Sequence, residues 1–228
     1  MQPQIHRIRL GINSCYLIRE KSVIMIDGGN PGKLKVFQRK ITELGIAPEE
    51  IKLIILTHSH FDHAGTAREI SDYTGAKIVL HSNEVNFTGG KGMIVPKGVN
   101  TWGKITQPVF FPVFRRLKFP GFDPHILIDE PEFSLNVFGI KGSIIHTPGH
   151  TPGSISVLLD SGDAFVGCMA HDGIPFRLRP GLPIYACDIE ELKRSWKILT
   201  EKGARRIYPG HGKPFGVEEI MGRYGLWV

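Results

Sequence analysis

The chain has 228 residues, enough for one mid-sized domain with a full core. Hydrophobic residues make up 41% and charged residues 22%, so it reads as an ordinary soluble globular protein; 27 Gly and 16 Pro point to many turns between short elements. The formal net charge of +6 favours an anionic substrate or surface, but no long Lys/Arg run and no aromatic-and-basic platform stands out, which argues against a nucleic-acid partner.

The first residues, "MQPQIHRIRLGIN", lack the apolar run of a secretory signal, and no stretch approaches the ~18 apolar residues of a membrane span. The three cysteines, Cys15, Cys168 and Cys187, cannot pair without one left over. Together these features predict a cytoplasmic protein.

In chain order, "NSCYLIREKSVIMIDGG" reads as two strands around a turn at Glu20–Lys21. Residues 33–44 place Leu34, Phe37, Ile41 and Leu44 at helical spacing, with Gly45 as the stop. Residues 51–57 form an apolar run suited to a buried strand. A helix ending at Gly75 and a strand "KIVL" follow. Residues 82–134 break this alternation and read as an insertion. Their stretch "KITQPVFFPVFRRLKFPGF" holds five Phe together with Arg115, Arg116 and Lys118. "SISVLLDSGDAFVG" reads as a second hairpin. Asp188 is placed to cap a helix running to Gly203, and "RRIYPG" reads as a last strand. Both hairpins leave a polar residue at their exit, Asp27 in one and Cys168 in the other, which suggests a duplicated β-rich half.

The strongest chemical signal is "THSHFDHAG", residues 57–65, where a buried strand ends. His58, His60, Asp62 and His63 follow within six residues. Alternate residues of an extended turn point the same way, so His58 and His60 can grip one ion, while Asp62 and His63 can turn towards a second. Imidazole and carboxylate suit zinc or iron. His150 lies in "HTPGHTPGS" and His211 in "YPGHGKP", both rigid turns beside strands. Either alone could be a turn histidine, but beside the first cluster both read as ligands.

"HSHFDH", then "TPGHTPGS", then "PGHG" resembles the metallo-β-lactamase superfamily, in order and spacing, over almost the whole chain. The resemblance implies an α/β fold: a four-layer αβ/βα sandwich, residues 1–228 as one domain, with two metals between the sheets. It implies His58, His60 and His150 on the first metal, and Asp62, His63 and His211 on the second. Asp27 matches a "DxG" position whose carboxylate orients a ligand histidine from behind. The helical glutathione-binding domain carried by the thioester hydrolases of the family is expected to be absent, since 17 residues follow His211.

Many relatives have Gly-Asp where this chain reads "VGC", and their aspartate bridges both metals. Cys168 therefore has three readings: a thiolate ligand, a bystander lining the site, or a covalent nucleophile. His171 and Asp172, close behind, are candidates to replace the carboxylate or to hold substrate. The expected cofactors are two Zn²⁺ ions, with Fe or Mn as alternatives.

The expected activity is hydrolysis of an ester, thioester, lactone or amide by a metal-bound hydroxide. Asp62 would bind the second metal, orient the nucleophile and shuttle a proton to the leaving group. A phosphodiesterase or nuclease, an iron-dependent redox enzyme and a non-catalytic binding module are the rival readings. The insertion would serve as a lid for an apolar, anionic small-molecule substrate, or pack its own core or a dimer contact.

Overall fold

The computed structural model describes residues 2–89, 93–114, 116–173 and 177–226. Arg115, one of the basic residues expected at the lid, lies outside them. The first half supplies strands β1 (Gln4–Arg9), β2 (Ser14–Arg19) and β3 (Val23–Ile26), helix α1 (Leu34–Glu43), strand β4 (Ile51–Ile55), helices α2 (Phe61–Ala64) and α3 (Ala67–Thr74), and strand β5 (Lys77–His81). The middle of the chain adds β6 (Lys97–Gly98), α4 (Thr101–Phe114), β7 (Ile126–Ile128) and β8 (Glu132–Ser134). The second half supplies β9 (Gly142–His146), β10 (Ile155–Leu159), β11 (Asp163–His171), β12 (Tyr185–Ala186), α5 (Ile189–Glu201), β13 (Arg206–His211), β14 (Phe215–Gly216) and α6 (Glu218–Met221).

Two six-stranded sheets result, in the orders β1-β2-β3-β4-β5-β7 and β14-β13-β11-β10-β9-β8, with β12 and β6 as a separate pair. The first sheet is antiparallel at β1–β2–β3 and parallel from β3 to β7. Strand alternation sorts the side chains between layers. In β2, Cys15 and Leu17 face a core shared with Phe37 and Ile41 of α1 and Ile70 of α3. Tyr16 and Ile18 face the other way, into the core between the sheets with Ile144, Val157 and Phe165. The outer face of the second sheet packs Val166 and Ile207 on Leu192, Trp196 and Leu199 of α5. This is the four-layer αβ/βα sandwich. Strands β2 and β3 are buried throughout except at the end of β2, which is why they read as continuous apolar runs. Asp188 caps α5, its Oδ1 accepting from the amides of Glu190 and Glu191 at 2.9 Å each.

The middle of the chain departs from its expected form. Strand β7 pairs with β5, and β8 pairs with β9, so residues 126–134 belong to the two main sheets and the irregular part ends before them. Much of the remainder is helix: α4 runs for 14 residues through both Pro108 and Pro112. After the expected last strand, β14 and α6 still follow. Among the described residues no helix is long and apolar enough to cross a membrane.

Candidate metal centre

The polar residues gather where strands end, along one edge of the sandwich. Beyond β4, residues 57–60 lead through a bend into α2, which carries Asp62 and His63, with His60 extended just before it. His150 sits in the turn between β9 and β10, Cys168 and His171 on β11, and His211 at the end of β13. The pairing of β11 with β13 slips between Phe165 and Gly167 and again between Gly167 and His171. Such bulges re-aim side chains, here those of Cys168 and His171. Gly167 has φ +50°, and a Cβ there would meet Thr57 Oγ1 at 2.4 Å, so only glycine fits behind the cluster.

His58, His60, His63, His150, Cys168 and His211 are all buried. Nε2 of His58 lies 3.0 Å from Nδ1 of His60, which lies 3.2 Å from Nε2 of His150. Sγ of Cys168 lies 3.3 Å from Nε2 of His63. Oδ2 of Asp62 lies 3.2 Å from Nε2 of His211 and 3.7 Å from Nε2 of His63. Two donor triads, His58–His150–Cys168 and His63–Cys168–His211, each keep their ligand atoms within 4.8 Å of one another. Cys168 is common to both.

Acceptors behind the rings fix where each imidazole carries its proton. Nε2 of His60 faces the carbonyl of Ile94 at 2.8 Å, and Nδ1 of His150 faces that of Tyr185 at 3.0 Å. Nδ1 of His211 faces the carbonyl of Ile12 at 3.3 Å, and Nδ1 of His63 faces Oδ2 of Asp27 at 2.7 Å. Carbonyls and carboxylates only accept, so those nitrogens donate. Thr57 Oγ1, 3.0 Å from Asp27 Oδ1, gives its one hydrogen to that carboxylate and accepts from His58 Nδ1 at 3.0 Å. In the neutral rings every inward-facing nitrogen is then a bare lone pair. Lone pairs crowded to about 3 Å repel unless a cation lies among them, and the set of imidazole, carboxylate and thiolate is what divalent metals take.

The electrostatics divide the cluster into two halves. Burial raises the Cys168 thiol, but His63, His150 and His211 outweigh it and hold the group well below its usual range, as a thiolate. Burial lowers His211, but Cys168 and Asp62 prevail and push it up to about 9. Burial together with His150 pushes His60 down to about 4. His58 and His60 disfavour protons, while the half beside Asp62 attracts positive charge.

A cleft opens over the cluster. Its floor includes His60, Asp62, His150, Cys168 and His211, and its apolar rim includes Ile12, Met93, Pro96, Phe111 and Tyr185. His171 lines it too, its ring 5.1 Å from that of His211, with burial pushing it down to about 4. Asp172 does not line the cleft: its Oδ2 accepts from the amide of Lys213 at 3.3 Å. A strand alternates its side chains, and the residue after His171 turns away.

One contributor escaped the sequence reading. Glu84 is fully buried. Its Oε2 accepts from the amide of Ser59 at 2.9 Å and from Ser59 Oγ at 2.5 Å, and its Oε1 accepts from the amide of Gly153 at 3.1 Å. It ties the loop of His58 and His60 to the turn of His150. A strand followed by "HSNEV" carries the residue, but nothing local marks its two partners.

The family model of the metallo-beta-lactamase superfamily matches residues 8–211, and the chain belongs to that superfamily. A probable metallo-hydrolase of Methanocaldococcus jannaschii is 29% identical over 205 residues, covering 88% of each chain. A probable metallo-hydrolase of Bacillus subtilis is 30% identical over 166 residues, which cover 71% of this chain and 62% of that relative. Among solved structures, the BLEG-1 B3 metallo-beta-lactamase superposes with TM-score 0.68 at 19% identity over 95% of both chains. A protein crystallised in a di-iron-bound form superposes with TM-score 0.67 at 22% identity over 96% of this chain and 97% of that one. Membership places the chain in a superfamily that includes metallo-hydrolases and implies divalent metal ions.

Proposed function

We propose that this protein is a dinuclear zinc hydrolase of carbonyl substrates, an ester, thioester, lactone or amide. The observation that carries the reading is the pair of buried triads meeting at Cys168, with every histidine anchored from behind so that its free nitrogen faces inward. His58, His60 and His150 would hold one ion. Asp62, His63 and His211 would hold the other, and Cys168 would reach both. Bound there, the ions would supply Lewis acidity and a nucleophile drawn from water at neutral pH. The thiolate favours zinc over harder ions such as manganese.

The chain's own groups do the rest. Oδ2 of Asp62, beside His211 and at the floor of the cleft, is placed to hold a proton on its way to the leaving group. Asp27 keeps the proton of His63 on Nδ1. Ile12, Met93, Pro96 and Phe111 exclude water and offer an apolar surface to an acyl group. His171 lines the same space and serves as a substrate-facing group.

The test is a panel of aryl esters, thioesters and lactones set against bis-aryl phosphodiesters, assayed on protein first stripped by chelator and then loaded with zinc, iron or manganese. The reading expects carbonyl hydrolysis restored best by zinc. Turnover confined to phosphodiesters, or restored by iron alone, would overturn it.

A further inference from the structure

Between Glu84 and Asp123 the chain has no acidic residue, and this stretch carries six of its 28 Lys and Arg residues. The other 22 are balanced by all 22 acidic residues, so the entire net charge of +6 resides in these 38 residues. In the same stretch, α4 leaves Trp102 49%, Ile105 59%, Val109 65% and Val113 57% exposed. Their spacing of three, four and four lines them along one side of the helix. Lys97, Lys104, Arg116 and Lys118 are exposed around them, and Leu117 continues the apolar surface. An apolar stripe of this kind on a surface helix marks an interaction face.

We propose that this face docks on an anionic lipid bilayer, with α4 lying in the plane of the headgroups. Charge selects the occupant. Trp102 and three aliphatic side chains, with Lys104 on the helix, Lys97, Arg116 and Lys118 beyond its ends and no acidic residue in the stretch, suit the interfacial region of an anionic bilayer. Each basic residue near an anionic leaflet strengthens binding about fivefold. A second copy of this chain would set two faces of the same sign together, with no carboxylate within the stretch to pair them, which like-charge repulsion opposes. Nucleic acid would use the charge but not Ile105, Val109 and Val113, which cannot stack on bases.

The helix that carries the face also borders the cleft, from its other side. Phe111 of the same helix is buried on Tyr185, ring centroids 5.1 Å apart, and lines the rim, and the carbonyl of Ile94 holds His60. Docking therefore brings a helix that borders the cleft onto the bilayer. The binding itself does not depend on the hydrolase reading.

The test is co-sedimentation of the full chain with phosphatidylcholine vesicles, with and without phosphatidylglycerol. The expected result is association with the anionic vesicles only, weakened by salt. Brominated lipid should quench tryptophan emission, and Trp102→Phe should remove that quenching. A charge variant, Lys97→Glu with Lys104→Glu, and an apolar variant, Ile105→Ser with Val109→Ser and Val113→Ser, should each bind at least tenfold more weakly. Both should keep wild-type metal content and hydrolysis of soluble esters, because all five positions are exposed and outside the cleft. Failure to bind anionic vesicles, or equal binding by wild type and the apolar variant, would overturn the proposal. So would a concentration-dependent dimer abolished by the apolar variant, or tight oligonucleotide binding, in the absence of vesicle binding. Loss of hydrolysis with vesicle binding intact would count against the hydrolase reading alone.

Discussion

Asp27 accepts from Nδ1 of His63 at 2.7 Å, and it does so from a strained backbone, with φ of 61°. Among the described residues it is the one non-glycine with positive φ. The left-handed conformation costs about 1–3 kcal/mol outside glycine, least for Asp and Asn, and is kept only where the surroundings demand it. Here the same carboxylate also accepts from the amide of Thr57 at 2.8 Å, so the strained turn aligns the start of the histidine loop and one of its rings together.

Asp27→Asn keeps the size and the tolerance of positive φ but weakens the acceptor for His63. We expect zinc affinity to fall about 10–100-fold, the range for losing a partner behind a ligand. The fold should survive, and a competitive chelator titration measures the loss. Unchanged affinity would mean that His63 needs no orienting group.

Glu84 joins two ligand loops through three hydrogen bonds to one buried carboxylate. Hydrogen bonds to charged groups contribute about 1.5–3 kcal/mol each, and a donor left without its acceptor costs about 1–3 kcal/mol. Glu84→Gln should lower the unfolding free energy of the metal-free protein by about 1–3 kcal/mol in urea melts, and Glu84→Ala by more. In the variants that fold, cobalt loaded at His58, His60 and His150 should show altered ligand-field bands. Destabilisation with an unaltered spectrum would reduce Glu84 to a packing role.

Cys168 distinguishes the possible forms of the centre most sharply. If its thiolate is a ligand, cobalt-substituted protein should show a sulfur-to-metal charge-transfer band in the near ultraviolet. Cys168→Ser should abolish it and weaken one ion by at least about tenfold, because an alcohol donates far less than a thiolate. Cys168→Asp should restore tight binding, since a carboxylate can span both positions. A missing band, with Cys168→Ser unchanged in zinc content, would make the cysteine a bystander.

The sequence revealed parts of this architecture unevenly, for physical reasons. His58, His60, Asp62 and His63 fall within six residues, so their shared purpose is legible without knowing the fold. His150 and His211 are legible because Pro and Gly announce the rigid turns that hold them. The acceptors behind the rings are another matter. Ile94 and Tyr185 act through backbone carbonyls, which leave no mark in sequence, and Glu84 meets Ser59 from 25 positions away. Helix α4 was hidden because Pro108 and Pro112 each remove a helical donor, and the three-residue strands β7 and β8 are too short to show periodicity. Asp172 looked equivalent to His171 in sequence, and only the alternation of side chains at the end of β11 separates the one that faces the cleft.

The central claim is that one buried cluster binds two ions with Cys168 between them. Calorimetric titration of zinc into chelator-stripped protein, with elemental analysis of the product, tests it most directly. The account predicts two ions per chain, with the second lost first in Cys168→Ser and carbonyl-ester hydrolysis rising with occupancy. A reproducible plateau at one ion per chain, unmoved by excess zinc, would contradict it.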